Sequence, residues 1–220
     1  IRKYILEYDD VMNQQREVLY GQRRLILNNQ SLRETILHMV DNLIINAMNQ
    51  YADEKLYPEE WNYEGLLKHL EIYFLEPGML TVEQMEEYGR AELQEHLIDI
   101  AHQEYEKRES LCGEANMREL EKAIMLKVVD SKWMEHLDAM DMLKEGIGLR
   151  AYGQKNPLVE YKFEAYDMFE SMKEAITDET IMYLYRIQIN VDTIAEEEPV
   201  DHLADAKTHH EDVLEPQNVD

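Results

Sequence analysis

Residues 128–172 read VVDSKWMEHLDAMDMLKEGIGLRAYGQKNPLVEYKFEAYDMFESM, and the fold turns on how this stretch is parsed. Its first part completes a run from Asn116 to Glu145 without Pro or Gly, in which Leu126, Val129, Trp133, Leu137, Met140 and Leu143 recur every three or four residues. That spacing puts them on one face of a helix of about 30 residues, roughly 45 Å long at 1.5 Å per residue. A second helix begins at Pro157, a residue suited to a first turn because its missing N–H has no intrahelical bond to lose. Its stripe is Leu158, Tyr161, Ala165, Met168, Met172 and Ile176. Two apolar stripes joined by a short connection predict an antiparallel helical hairpin. The connection, GIGLRAYGQKNPL at 146–158, reads as a sharp reversal made by its glycines and Pro157, with Arg150, Tyr152 and Lys155 displayed at the apex.

Upstream, residues 1 to about 28 form one amphipathic helix, with Ile5, Tyr8, Met12, Gln15 or Arg16, and Leu19 on its stripe. NNQS at 28–31 breaks it, and Ser31 with Glu34 three residues on predicts a capping box for the next helix. That helix carries Leu32, Ile36, Met39 or Val40, Leu43 and Ala47 on one face. From Tyr51 to Gly89 the pattern shortens into brief helices between Pro and Gly turns, and a regular helix resumes over 90–110 with Leu93, Leu97, Ile100 or Ala101, and Tyr105. Cys112-Gly113 ends it, so 31–112 reads as a small helical subdomain inserted between longer elements. Beyond residue 190 the composition turns acidic with one lysine, Lys207, which predicts a disordered tail or linker. The expected class is all-α.

Lys and Arg number 22 against 47 Asp and Glu, a net charge of −25. Nucleic acid is therefore not an expected partner, because phosphate binding needs clustered positive charge. Anionic membrane is disfavoured too, unless a local basic element docks. One cysteine, Cys112, allows no intramolecular disulfide and points to a reducing compartment. No apolar run approaches the length of a membrane span, no signal peptide is visible, and Ile1 opens directly into helix as a piece of a longer chain would.

Catalytic motifs are missing. There is no phosphate loop, no dinucleotide glycine motif and no H-E-x-x-H. His209-His210 before Glu211-Asp212 has metal-ligand residue types, but adjacent histidines in an acidic tail preorganise nothing, and no metal is expected. Asp9-Asp10 diverge by about 100° on a helix, so they read as ion-pairing positions rather than an acid–base pair. The 13 methionines fall mostly on the stripes and read as core filling.

Two blocks, IRKYILEYDDVMNQQREVLYGQRR at 1–24 and the stretch at 128–172, closely resemble the SecA family of motor ATPases in bacterial preprotein export. The resemblance extends to about residue 190, more loosely over the inserted region, and concerns the family's C-terminal helical part. It implies that 1–28 is the distal part of the long helical scaffold helix and 29–113 the helical wing. Likewise 114–190 would be the two-helix finger that regulates ATP hydrolysis and packs on the scaffold, and 191–220 a variable linker. The motor domains, with their ATP and Mg, and a zinc-binding tail would lie outside this sequence, so no catalytic residue and no cofactor is expected in this chain.

The resemblance further implies a fingertip that meets preprotein and channel through Tyr152, with Leu149, Arg150, Gln154 and Lys155 around it. A tyrosine offers an apolar face and a hydroxyl, which suits contact with any polypeptide. Arg2 and Asp9, seven apart on one helix face, form an expected contact for the motor domains, and a solvated ion-pair face is the plainer alternative. Trp133, Leu137 and Met140 are expected to pack the finger on the scaffold. The implied partners are motor domains in cis, the SecY channel complex, unfolded preproteins, the anionic membrane surface and a second copy of the chain. The implied location is the cytoplasm and the cytoplasmic face of the plasma membrane. The competing reading is a free-standing helical adaptor or chaperone that holds unfolded chains in a Met-rich groove.

Overall fold

A computed structural model describes residues 2–29, 31–150 and 156–189, with side chains over 7–29, 31–147 and 156–189. The described residues are helical, without strands. The helices are α1 (Arg2–Asn28), α2 (Arg33–Tyr51), α3 (Tyr63–Glu71), α4 (Val82–Glu86), α5 (Arg90–Cys112), α6 (Glu114–Arg150) and α7 (Pro157–Arg186), with a short 3₁₀ turn at Pro58–Glu60. The acidic stretch expected to be disordered, 191–220, lies outside the described residues.

Local chemistry sets most of the boundaries. Asn156 Oδ1 accepts from Leu158 N at 3.1 Å and Pro157 occupies the first turn, which starts α7. Thr81 and Gln84 exchange side-chain and backbone bonds at 3.3 and 3.0 Å and start α4. Gly113, with φ of +84°, closes α5 in a conformation that resists a side chain, and α6 begins at the next residue.

Two expectations need correcting. The capping box at Ser31 does not form: the Ser31 hydroxyl accepts from Arg33 N at 3.4 Å and from Arg118 Nη1 at 3.2 Å, but Glu34 makes no return bond to the Ser31 backbone. Burial of Leu32, 2% exposed, fixes that corner instead. Gly146 and Gly148 are not part of the reversal, because α6 runs through both to Arg150. Two helical glycines cost about 2 kcal/mol, comparable to what burying Ile147 between them returns. Ile147, 3% exposed, joins Met140, Leu143, Tyr161 and Ala165 in a cluster that ties the far end of α6 to α7.

α6 and α7 form the antiparallel hairpin, and α1 lies against both. Pairing of Asp9 with Lys144, Gln15 with His136 and Arg23 with Asp130 makes α1 antiparallel to α6. Tyr8 against Tyr161 and Gln15 against Ala165 make it parallel to α7. The main core gathers Leu19 and Ile26 of α1 with apolar faces of α2, α3, α5, α6 and α7. On α2 the buried face includes Ile36, Val40, Leu43 and Ala47, and on α5 Leu93, Leu97, Ala101 and Tyr105. On α7 Phe169 is buried and Met168 only half-buried, since this helix turns one side to α6 and an adjacent side to α1.

Candidate functional site

The hairpin has an outer end, a seam along α1 and a base against α5. At the outer end α6 closes with Leu149 and Arg150, while Tyr152, Gln154 and Lys155 lie outside the described residues. What the structure describes at this end is a small apolar cluster. Ile147 and Leu158 are buried on the two limbs, and Tyr161 is 1% exposed beneath them. Tyr161 meets Tyr8 edge-to-face, with ring centroids 4.6 Å apart. Burial pushes the Tyr161 hydroxyl up to about 12, with Asp141 and Asp9 adding to the rise, so it stays neutral.

Along the seam, Trp133 is buried in the main core and its ring stacks on His136 at 5.6 Å. It also lines an open cleft with Tyr20, Arg23 and Arg24 of α1. Leu137 packs half-buried against the main core. Met140, 1% exposed, sits in the outer cluster against Tyr8, Val11 and Met12 of α1. Trp133 and Met140 thus meet residues of α1, while Leu137 is placed only against the main core.

The same seam holds two side chains that sequence reasoning passed over as functional candidates. Gln15, 7% exposed, donates from Nε2 to the Ala165 carbonyl at 2.9 Å. Its Oε1 is then the atom facing His136 Nε2 at 2.8 Å, so the imidazole must be the donor there. His136 is 4% exposed between Trp133 and Phe169, and burial holds its pKa below the ordinary histidine value. One amide thus bonds both limbs of the hairpin at once. The available signal was a glutamine on an apolar stripe and a histidine one helical step from Trp133.

Exposed ion pairs flank this centre. Arg23 meets Asp130 through two bonds at 2.9 and 3.2 Å, and Lys144 Nζ meets Asp9 Oδ1 at 3.0 Å. Asp9, proposed from sequence as half of a motor-contacting face, thus bonds the hairpin. Arg2 begins α1, and its side chain lies outside the described residues.

The base is built differently. Glu121 of α6 is fully buried and accepts from the Tyr105 hydroxyl of α5. Arg118 donates to Tyr105 Oη at 3.0 Å, lies 3.3 Å from Glu121 Oε1, and pairs with Glu109. Arg33 of α2 reaches Glu109 and Glu106 at 3.5 and 3.2 Å. Burial raises the Glu121 pKa against the pull of Tyr105 and Arg118, and its Oε2 has no hydrogen-bond partner. Nearby, Tyr185 of α7 donates to the Ala101 carbonyl at 2.9 Å, and Arg108 donates to the Ile187 carbonyl at 2.9 Å, closing the end of α7.

Among the described residues no group of three or more His, Cys, Asp or Glu is placed to hold a metal ion. No described helix is long and apolar enough to cross a membrane.

A long helical hairpin braced along a third long helix, with a small helical subdomain against its base, defines an all-α scaffold-and-hairpin architecture. The family described as "SecA Wing and Scaffold domain" matches residues 1–188, and the chain belongs to that family. The protein translocase subunit SecA of Pelotomaculum thermopropionicum is 51% identical over 189 residues, 86% of this chain and 21% of the relative. The SecA subunit of Desulforudis audaxviator is 47% identical over 86% of this chain and 22% of its own. That of Acetivibrio thermocellus is 40% identical over 98% of this chain and 24% of its own. The chain spans about a fifth to a quarter of the length of these relatives.

Proposed function

We propose that this chain is the scaffold, wing and finger part of a protein translocase subunit, acting as the lever between an ATP-driven motor and the chain being moved. Within it 1–28 serves as scaffold, 29–113 as wing, 114–190 as finger and 191–220 as linker. The observation that supports this most directly is the bracing of α6 and α7 along α1, from Asp130 at one end to Lys144 at the other. Helices locked along a seam transmit displacement over their length instead of bending. α6 alone is 37 residues, roughly 55 Å at 1.5 Å per residue.

In this reading the chain has no catalytic role. Hydrolysis belongs to motor domains that hold ATP and Mg elsewhere in the protein, and the face bearing Arg2 and Asp9 receives their nucleotide state. The fingertip residues Leu149, Arg150, Tyr152, Gln154 and Lys155 meet preprotein at the cytoplasmic mouth of the SecY channel, with the protein peripheral on the membrane. The local positive charge of Arg150 and Lys155 suits acidic channel loops or lipid head groups.

Mixing the chain with isolated motor domains and following ATP turnover tests the regulatory half: the expected result is association with suppressed hydrolysis. No association would count against it. Replacing Tyr152 with alanine in the intact protein tests the fingertip half, with slowed export expected and export at the normal rate overturning the assignment.

A further inference from the structure

We propose that Gln15 and His136 form a register pin that fixes the axial position of the hairpin on α1. The apolar contacts of α1 leave that position open over its outer half. Tyr8, Val11 and Met12 line the hairpin side there, where a slide of one helical turn, about 5.4 Å, exchanges one apolar residue for another, while Leu19 and Ile26, two turns apart, line the inner half. Gln15 is the buried polar residue within this series. A slide of one turn carries its amide away from Ala165 and His136 and leaves a buried amide and a buried imidazole without partners. Unpaired buried polar groups are expensive, whereas the paired ones add little net stability, and this is how a buried amide sets register in a coiled coil.

The geometry is built for the purpose. Ala165 is fully buried and its small side chain admits the Gln15 amide to a mid-helix carbonyl. His136 is held in orientation by stacking on Trp133 and by the tilted Phe169 ring, 5.8 Å away, so its Nε2–H has one direction in which to point. Because the amide bonds α6 and α7 together, it also locks the two limbs of the hairpin against each other at this level. The flanking pairs carry opposite polarity, Asp on α1 to Lys at one end and Arg on α1 to Asp at the other. A shifted register would therefore lose its outer matches as well.

That the pin serves a lever rests on the function proposed above, but the pin itself is tested on this chain alone. A failed export or ATPase experiment would leave it standing, and its own failure would leave the lever standing. Spin labels at the exposed positions Asn13 and Asp167, introduced with Cys112 replaced by alanine, report the distance between α1 and α7. One narrow distance is expected for the parent chain. Gln15→Leu and His136→Phe each fill the space without the bond, and each should add a second population displaced by about one turn. His136→Gln restores a donor and should return the single distance, although phenylalanine is the better match in shape. Nitrogen-15 spectra of the parent should show His136 protonated at Nε2 and bare at Nδ1. A single unchanged distance in both Gln15→Leu and His136→Phe overturns the pin. So does loss of the fold in both, which would make the pair a stability element instead.

Discussion

The hairpin meets α1 and α5 through opposite chemistry. Against α1 it uses a neutral amide and imidazole, with ion pairs left at the exposed edges. Against α5 it buries a carboxylate, Glu121, with Tyr105 and Arg118 around it and Glu109 and Arg33 beyond. A neutral seam loses little if both partners become apolar, so it selects among positions without gripping any of them hard. A buried charge cluster behaves in the reverse way, since withdrawing any member strands a desolvated charge. The base is thus the fixed end of the hairpin, and the seam is the part whose position is chosen.

The largest effect that could break this contrast is at Arg118. Arg118→Leu leaves Glu121 and Glu109 without their shared cation, and chemical denaturation should show a loss of about 3–5 kcal/mol. A loss under about 1 kcal/mol would mean the base is no more demanding than the seam. Tyr105→Phe is the next step down. It removes the hydroxyl that Glu121 Oε1 accepts from and that Arg118 donates to, with an expected loss of about 1–3 kcal/mol by the same measurement.

Much of this was legible before the structure, and the failures have two causes. The stripes Leu93–Leu97–Ala101–Tyr105 and Trp133–Met140–Leu143 could be read because burial on one face imposes a 3.6-residue period that any single helix displays. Polar groups inside a stripe carry no such period. Gln15 finds its partner 121 residues away, and Glu121 its donor 16 residues earlier on another helix, so neither bond has a local trace. Ser31 and the two glycines of α6 failed in another way. Their local preferences were read correctly, but tertiary contacts at Leu32, Arg118 and Ile147 outweigh them. The fingertip residues came from resemblance, and the turn that carries Tyr152 lies outside the described residues.

The two junctions should also respond to pH with opposite sign. The His136 pKa lies below its unfolded value, so its neutral form supports the fold above about 6.5 and that support fades as pH falls through the folded pKa. The Glu121 pKa lies above its unfolded value, so the fold is favoured by the protonated acid, and that support is full below about 4.5 and fades as pH rises through the folded pKa. The groups facing Glu121 are Tyr105 and Glu109 of α5, Arg118 of α6 and Arg33 of α2. The Asp178 pKa on α7 is raised as well, so the comparison is made as differences: melting temperature against pH for His136→Gln and for Glu121→Gln, each minus the parent. The first difference should grow in favour of the variant as pH falls below about 6.5, and the second as pH rises above about 4.5. Two differences of the same sign would remove the chemical distinction between seam and base.

The smallest effect expected is at the outer ion pair, and its smallness is informative. Asp9 and Lys144 are 52% and 42% exposed, so the pair works against water and side-chain entropy, and Asp9→Ala or Lys144→Ala should cost about 0.5 kcal/mol. Coupling measured by the double variant should shrink further as salt rises, because solvent ions screen an exposed pair. A coupling near that of a buried pair, insensitive to salt, would mean the outer end is gripped and not merely aligned, and would move the fixed point of the hairpin from α5 to α1. The pair also decides how the Asp9 face can act. With its carboxylate bonded to Lys144, Asp9 can receive another domain only by giving up or sharing that bond. Charge reversal, Asp9→Lys, should therefore loosen the outer seam in the spin-label distance before any partner is added. If the distance stays fixed while association with the motor domains is lost, Asp9 faces outward in the working protein and the ion pair with Lys144 is incidental to the seam.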